Sequence, residues 1–316
     1  MNTNQVIQAA SQHLNELPGH IFDVLAVSKP VSPEAAVNLA KIISKLSPLL
    51  GNMIEFNTCE FLNEKDDFKS LGKWIRQDPG FPDIIFDGGV EPTPGFEIKA
   101  WFPLATEITG RFKDSQTHFS GDQTHVALIA WLPEFLIFGR PKIIGIAVAS
   151  GASVACARDE HYHKPPGYLV LEPQDTKTRT KNLQQTNTAG YKWQANDNLQ
   201  IESQKLAEAA GLLESWGADA KKYSPSAEYQ QKLKILTGRF DYRLDTNFAK
   251  LDRVGHAGVE AFAKSIYAME YHGMTIGQWN KLLRGMKTEK GTAALKTALT
   301  EKFGIQDVDA EKALVK

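Results

Sequence analysis

The amino-acid sequence predicts an α/β protein, with a mixed β-sheet of about five strands flanked by helices and a helical C-terminal region behind it. Three observations carry that reading. Five short runs, at 81–86, 96–101, 126–132, 143–149 and 168–171, have the apolar, aromatic and β-branched make-up of strands. Apolar residues recur at helical spacing over residues 1–75 and again from Leu199 onwards. A chain of 316 residues is long enough for a sizeable core, as one large domain or two modest ones.

The elements follow in order. Val6, Ala9, Ala10, Leu14 and Leu17 share one helical face, and Pro18–Gly19 ends that helix. A second helix starts at Ser32 with Pro33 in its first turn and continues through Leu39, Ile42, Ile43 and Leu46. A third covers roughly Pro48–Asn63 and contains Gly51 and Glu55. The runs Phe81–Phe86 and Phe96–Trp101 are separated by Asp87–Gly88–Gly89 and Pro92–Thr93–Pro94–Gly95, which turn the chain and predict a β-hairpin, or two neighbouring strands of one sheet, at the catalytic edge of the sheet. Thr106–Phe119 reads as helix or loop and carries Arg111, Lys113, Gln116 and His118. Residues 172–196 read as a long polar loop. Beyond it, Leu206, Ala209, Ala210 and Leu213, then Leu233, Leu236, Phe240 and Leu244, return to helical spacing. Ala257–Tyr271 and Ile276–Met286 are two further helices with Gly273 as the C-cap between them, and Lys287–Lys316 is a small charged helical appendage. No repeat, heptad array or low-complexity tract interrupts this order.

The net charge of −1 excludes a polycation, so any nucleic-acid site must be a local basic surface on a neutral body. Two cysteines, Cys59 and Cys156, make no disulfide framework and fit a reducing cytoplasm. Met1–Asn2–Thr3–Asn4 lacks the basic start and apolar core of a signal peptide, and no run of about 18 apolar residues is present to span a bilayer.

Chemistry concentrates at the predicted hairpin. Side chains alternate faces along a strand, so Glu97 and Lys99 point one way while Phe96, Ile98 and Ala100 point the other. With Asp83 on the partner strand facing Glu97 and Lys99, two carboxylates and an ammonium meet. A hard divalent cation, magnesium above all, holds two such carboxylates ionised and keeps several waters. On Asp83 and Glu97 it would polarise a phosphate oxygen and acidify a water, while Lys99 could orient or help deprotonate that water and offset phosphate charge. The reaction class is metal-assisted phosphodiester hydrolysis. The competing reading is an ordinary hairpin with a surface Glu–Lys pair.

Pro82–Asp83, a gap, then Glu97–Ile98–Lys99 resembles the signature of the PD-(D/E)XK nuclease superfamily, and among its members the type II restriction endonucleases. The chain has one Pro-Asp and one Glu-x-Lys, and they fall together in strand-like sequence. The Asp-x-Lys triplets Asp67–Lys69 and Asp219–Lys221 lie in charged helical sequence, and Asp175–Lys177 in a polar loop. The resemblance implies a restriction-endonuclease-like mixed sheet, magnesium as cofactor, double-stranded DNA as substrate, no nucleotide cofactor and a homodimer that cuts both strands of a palindrome. It also implies a supporting glutamate four residues after a glycine on the preceding helix, which Glu55 after Gly51 matches; Glu60 lies nearer the apolar stripe. In these terms residues 1–198 are the nuclease core with its DNA-contacting loops, and 199–316 a helical region packed on it. A repair or junction-resolving nuclease of the same superfamily, or a catalytically silent DNA-binding module, are the alternatives.

The loop supplies candidate DNA contacts. From Gln174 to Gln194 four Lys or Arg face one Asp, a local balance of +3. Arg179, Lys181, Asn182, Gln184, Gln185, Asn187 and Lys192 combine cations for phosphates with amides suited to base edges. Arg111, Lys113 and His118 are further candidates, and Tyr191 and Trp193 could stack on bases or anchor the loop. Other chemistries find less support. Cys156, His161 and His163 lack the fourth ligand of a structural zinc site. Gly145–Ser153 has no Lys where a phosphate-binding loop needs one, and no Gly-x-Ser-x-Gly elbow occurs.

Overall fold

The computed structural model describes residues 1–23, 25–77, 80–110, 121–163, 170–173, 192–193 and 249–306, with short stretches between 204 and 244. In chain order, α1 (Thr3–Leu14), α2 (Pro33–Ile42), α3 (Ser47–Asn63) and α4 (Asp66–Lys69) precede β1 (Lys73–Arg76), β2 (Ile84–Asp87) and β3 (Gly95–Trp101). Next come β4 (Thr109–Gly110), β5 (Thr124–Phe135), β6 (Phe138–Ser150) and α5 (Gly151–His163). The short strands β7 (Val170–Pro173), β8 (Lys192–Trp193), β9 (Tyr242–Leu244) and β10 (Ala249–Lys250) follow. The chain closes with α6 (Ala257–Ala268), β11 (Glu270–Tyr271), β12 (Met274–Thr275), α7 (Ile276–Gly285) and α8 (Glu289–Phe303).

Two compact units result. One draws on Met1–Ile108, His125–Ala149 and Gly258–Lys316, the other on Thr109–Thr124 and Ser150–Ala257. The first unit contains the main sheet, five mixed strands in the order β1-β2-β3-β5-β6, with helices around it, as an α/β protein requires. The sequence boundary at 198/199 differs from this partition, since the helices from 258 onwards belong with the N-terminal ones.

Local chemistry accounts for the helices. Asn2 caps α1 by accepting from Gln5 N, and the Gln5 side chain returns the favour to Asn2 N, a capping box. Ser32 caps α2 by accepting from Ala35 N, with Pro33 pre-set in the first turn. A 3-10 turn at Ile43–Leu46 leads straight into α3. The hairpin is held from behind by aromatic rings. Phe68, Trp74, Phe86 and Phe96 are all buried, their neighbouring centroids 5.3 to 5.6 Å apart. Burial of four such rings supplies most of the local driving force.

The structure corrects several expectations. The hairpin β2–β3 is interior to the sheet, because β1 covers it; four residues, Lys73–Arg76, form an edge strand inside a stretch that reads as helical. The edge is itself covered. Asn63 Nδ2 donates to Trp74 O at 2.9 Å and Trp74 N donates to Asn63 Oδ1 at 2.7 Å, so one amide plays the part of a missing strand. Pro82 and Asp83 form a bend rather than part of the strand, which starts at Ile84; proline has no N–H to give a ladder. The run at 168–171 becomes β7, in a separate three-stranded sheet with β8 and β9 in the second unit. Residues 151–163, including Cys156 and His161, form a helix.

At the C-terminal end, His272 and Gly273 both have positive φ (53° and 75°) and make the two-residue turn between β11 and β12, so Gly273 turns a hairpin rather than capping a helix. The final helix is no appendage. Leu295 and Leu299 of α8 are fully buried, and α8 packs on α2 and α7.

Candidate active site

Asp83, Glu97 and Lys99 come together on the first unit. The antiparallel register pairs Ile84 with Phe96 and Ile85 with Gly95, and continued by one residue it sets Asp83 opposite Glu97. Asp83 is fixed from both sides. Its carbonyl accepts from Gln77 N at 2.8 Å, and Gln77 Nε2 donates to Pro82 O at 3.0 Å. Its Oδ2 accepts from Ile98 N at 2.5 Å.

Glu97 is 6 % exposed, an unusual burial for a carboxylate. Phe96 and Ile98, to either side on β3, are buried on the opposite face, which is why the strand cannot slip to release it. Lys99 Nζ lies 2.5 Å from Glu97 Oε1 and 3.9 Å from Asp83 Oδ2, so one ammonium is in ion-pair reach of both carboxylates. Glu97 Oε2 is buried with no hydrogen-bond partner. Such an atom costs on the order of 1 to 3 kcal/mol unless a ligand satisfies it.

Burial pushes the Glu97 carboxyl up to about 7, against the Lys99 ammonium, while the Asp83 and Glu55 charges add to the rise. For Lys99, burial pulls downward, but Glu97 and then Asp83 outweigh it and hold the ammonium charged above its ordinary range. A charged lysine can donate to a water or to an anionic oxygen but has no lone pair with which to take a proton.

Glu55 lies on α3 close enough for burial and then the Asp83 charge to raise its carboxyl, with Arg76 opposing. Its bonded partner is Arg76 on β1, Nη2 donating to Oε2 at 3.3 Å. Glu60, the other candidate on this helix, is exposed. Arg76 and Gln77 are the residues that sequence reasoning missed. Both fall at the end of the unrecognised strand β1, and their adjacency to Pro82–Asp83 was the one available signal.

Two carboxylates offering hard oxygen donors, one with a buried unpartnered atom, fit a magnesium ion. Among the described residues, no three His, Cys, Asp or Glu side chains form a group able to hold a metal; Asp83 and Glu97 would be the two carboxylate donors. Arg111, Lys113, His118, Arg179, Lys181, Asn182, Gln184, Gln185 and Asn187 lie outside the described residues, and of Lys192 only its place in β8 is described. Cys59 is buried, and burial followed by the Glu60 charge pushes its thiol up to about 11, as an inert core cysteine requires. Among the described residues no helix is long and apolar enough to cross a membrane.

No family model matches the chain, and no curated protein or solved structure matches it either.

Proposed function

We propose that the chain is a magnesium-dependent endonuclease of the type II restriction kind, with a restriction-endonuclease-like core, cutting double-stranded DNA at a specific sequence in the cytoplasm. One observation carries the reading: Glu97 is buried with an unpartnered oxygen, beside Lys99 and across from Asp83, on two paired segments of one hairpin. A surface Glu–Lys pair would have no reason to be desolvated to this degree.

Asp83 and Glu97 would hold the magnesium, which supplies Lewis-acid polarisation of the phosphate and a lowered pKa for water. Asp83 is pre-set for this by the Ile98 amide and the Gln77 contacts, so little rearrangement precedes binding. Lys99 donates hydrogen bonds to the attacking water or to a non-bridging phosphate oxygen, and its charge offsets the negative charge that builds on the phosphorus. The polar segment that includes Arg179, Lys181 and Lys192 would bind the duplex backbone and read its bases. A homodimer would place one such site on each strand.

Incubation of purified protein with plasmid DNA and magnesium tests the proposal. Discrete fragments, lost with EDTA and absent for Asp83→Ala and Lys99→Ala, are the expected result. Cutting confined to branched or damaged DNA would reassign the protein to repair or junction resolution. An intact plasmid on all substrates, with duplex binding retained, would leave a DNA-binding module.

A further inference from the structure

The Glu55 carboxylate is already engaged. Its Oε2 accepts from Arg76 Nη2 at 3.3 Å, with 20 % of the Glu55 side chain and 30 % of the Arg76 side chain exposed. Among the described residues, no hydrogen bond or ion pair joins Glu55 to Asp83, Glu97 or Lys99. The backbone of Arg76 is held in place. Its register partner on β2 is Ile84, the residue after Asp83, and two residues before it the Asn63–Trp74 double hydrogen bond ties β1 to the end of α3, the helix that carries Glu55. Helix, edge strand and guanidinium are therefore one braced unit beside the carboxylate pair.

We propose that Arg76 is a positioning residue that withholds Glu55 from the metal, so that Asp83 and Glu97 hold a single divalent ion and Glu55 is not a ligand. The inference rests on the metal-dependent reading above and assigns its stoichiometry. A guanidinium presents fixed donors and cannot lose its proton, which makes it a durable occupant of a carboxylate. Glu55 already lies in electrostatic reach of Asp83 and Glu97, and without the guanidinium it would be a third carboxylate there with no cation bonded to it. More carboxylates in one place recruit more divalent charge.

Manganese binding to the full chain, counted by electron paramagnetic resonance without DNA, reads this directly. Wild type is expected to bind about one ion, and Asp83→Asn to weaken that binding by at least ~10-fold. Glu55→Gln should leave the affinity within about 2-fold, since it removes no ligand. Arg76→Met should admit a second ion, and the double variant Arg76→Met with Glu55→Gln should return to one. Circular dichroism establishes that each variant is folded, and Glu55→Gln alone still decides the matter if Arg76→Met does not fold. Two ions on wild type, or a loss in Glu55→Gln as large as in Asp83→Asn, overturns the role of Arg76 while leaving a metal site in place. No manganese on wild type, with or without a DNA duplex, overturns the metal-dependent reading and this inference together.

Discussion

Asp83 is tied to the strand opposite through its side chain: Oδ2 accepts from Ile98 N at 2.5 Å, in the bend just before β2. One carboxylate oxygen thus fixes the bend while the residue remains next to Lys99. Asparagine in its place still offers an oxygen to Ile98 N but no charge to a cation. Asp83→Asn should therefore keep its stability to within about 0.5 kcal/mol, whereas Asp83→Ala should lose on the order of 1 to 2 kcal/mol in urea unfolding. Both should lose cleavage by at least ~100-fold while binding duplex DNA. Cleavage by Asp83→Asn at the wild-type rate would remove Asp83 from the chemistry.

Glu97 makes stability depend on pH. Its carboxyl is raised in the folded chain to about 7, from an ordinary value near 4.5, chiefly by burial. A raised acid favours its protonated form in the folded state. Its contribution is therefore fully present below about pH 4.5 and is lost as pH rises towards 7, a span of up to ~3 kcal/mol for the metal-free protein. Glu97→Gln should flatten that stretch of the stability profile. Magnesium held by Glu97 would compete with the proton, so the rise in Tm on adding it should be larger at pH 8 than at pH 5.5. An equal shift at both values would mean that the ion does not bind at Glu97.

The hairpin could be read from sequence because its information is local. Period-two alternation put Glu97 and Lys99 on one face, turn residues fixed the break, and Asp83 needed only the neighbouring strand. Ser32 and Pro33 similarly announced α2. Longer-range features were hidden. Strand β1 has four residues, too few to show a period, and its stabilising partner Asn63 belongs to a helix. The Glu55–Arg76 pair spans 21 residues and depends on how α3 packs on β1. Helix α8 buries a sparse pair, Leu295 and Leu299, among threonines and lysines, so its hydrophobic stripe is faint until α2 is set against it.

The polar segment at 174–194 should show itself in salt dependence. Arg179 and Lys181 belong to the segment with a local charge of +3 on a chain of net charge −1. If each neutralises one phosphate, Arg179→Ala with Lys181→Ala should reduce the slope of log K against log salt by about 2, because each contact releases about 0.9 counterion. Fluorescence anisotropy of a labelled duplex at several salt concentrations measures this. An unchanged slope places both residues outside the interface.

Gly95 sets how closely the two halves of the site approach. A Cβ there would lie 2.5 Å from Pro82 Cγ and 2.9 Å from the Ile84 carbonyl oxygen, so part of the paired backbone would have to move. Pro82 precedes Asp83 and Gly95 lies two residues before Glu97, so that movement changes the distance between the carboxylates. Gly95→Ala should cost about 1 to 3 kcal/mol by overpacking. Its cleavage rate should fall further than its stability suggests, by ~10 to 100-fold with duplex binding unchanged, since sub-ångström placement matters in the reacting geometry. Gly51→Ala is the control: its Cβ would meet nothing nearer than Ala100 Cβ at 3.9 Å, and alanine in a helix gains up to ~1 kcal/mol. Equal cleavage by the two variants, with both folded, would show that the separation of Asp83 and Glu97 does not limit the reaction.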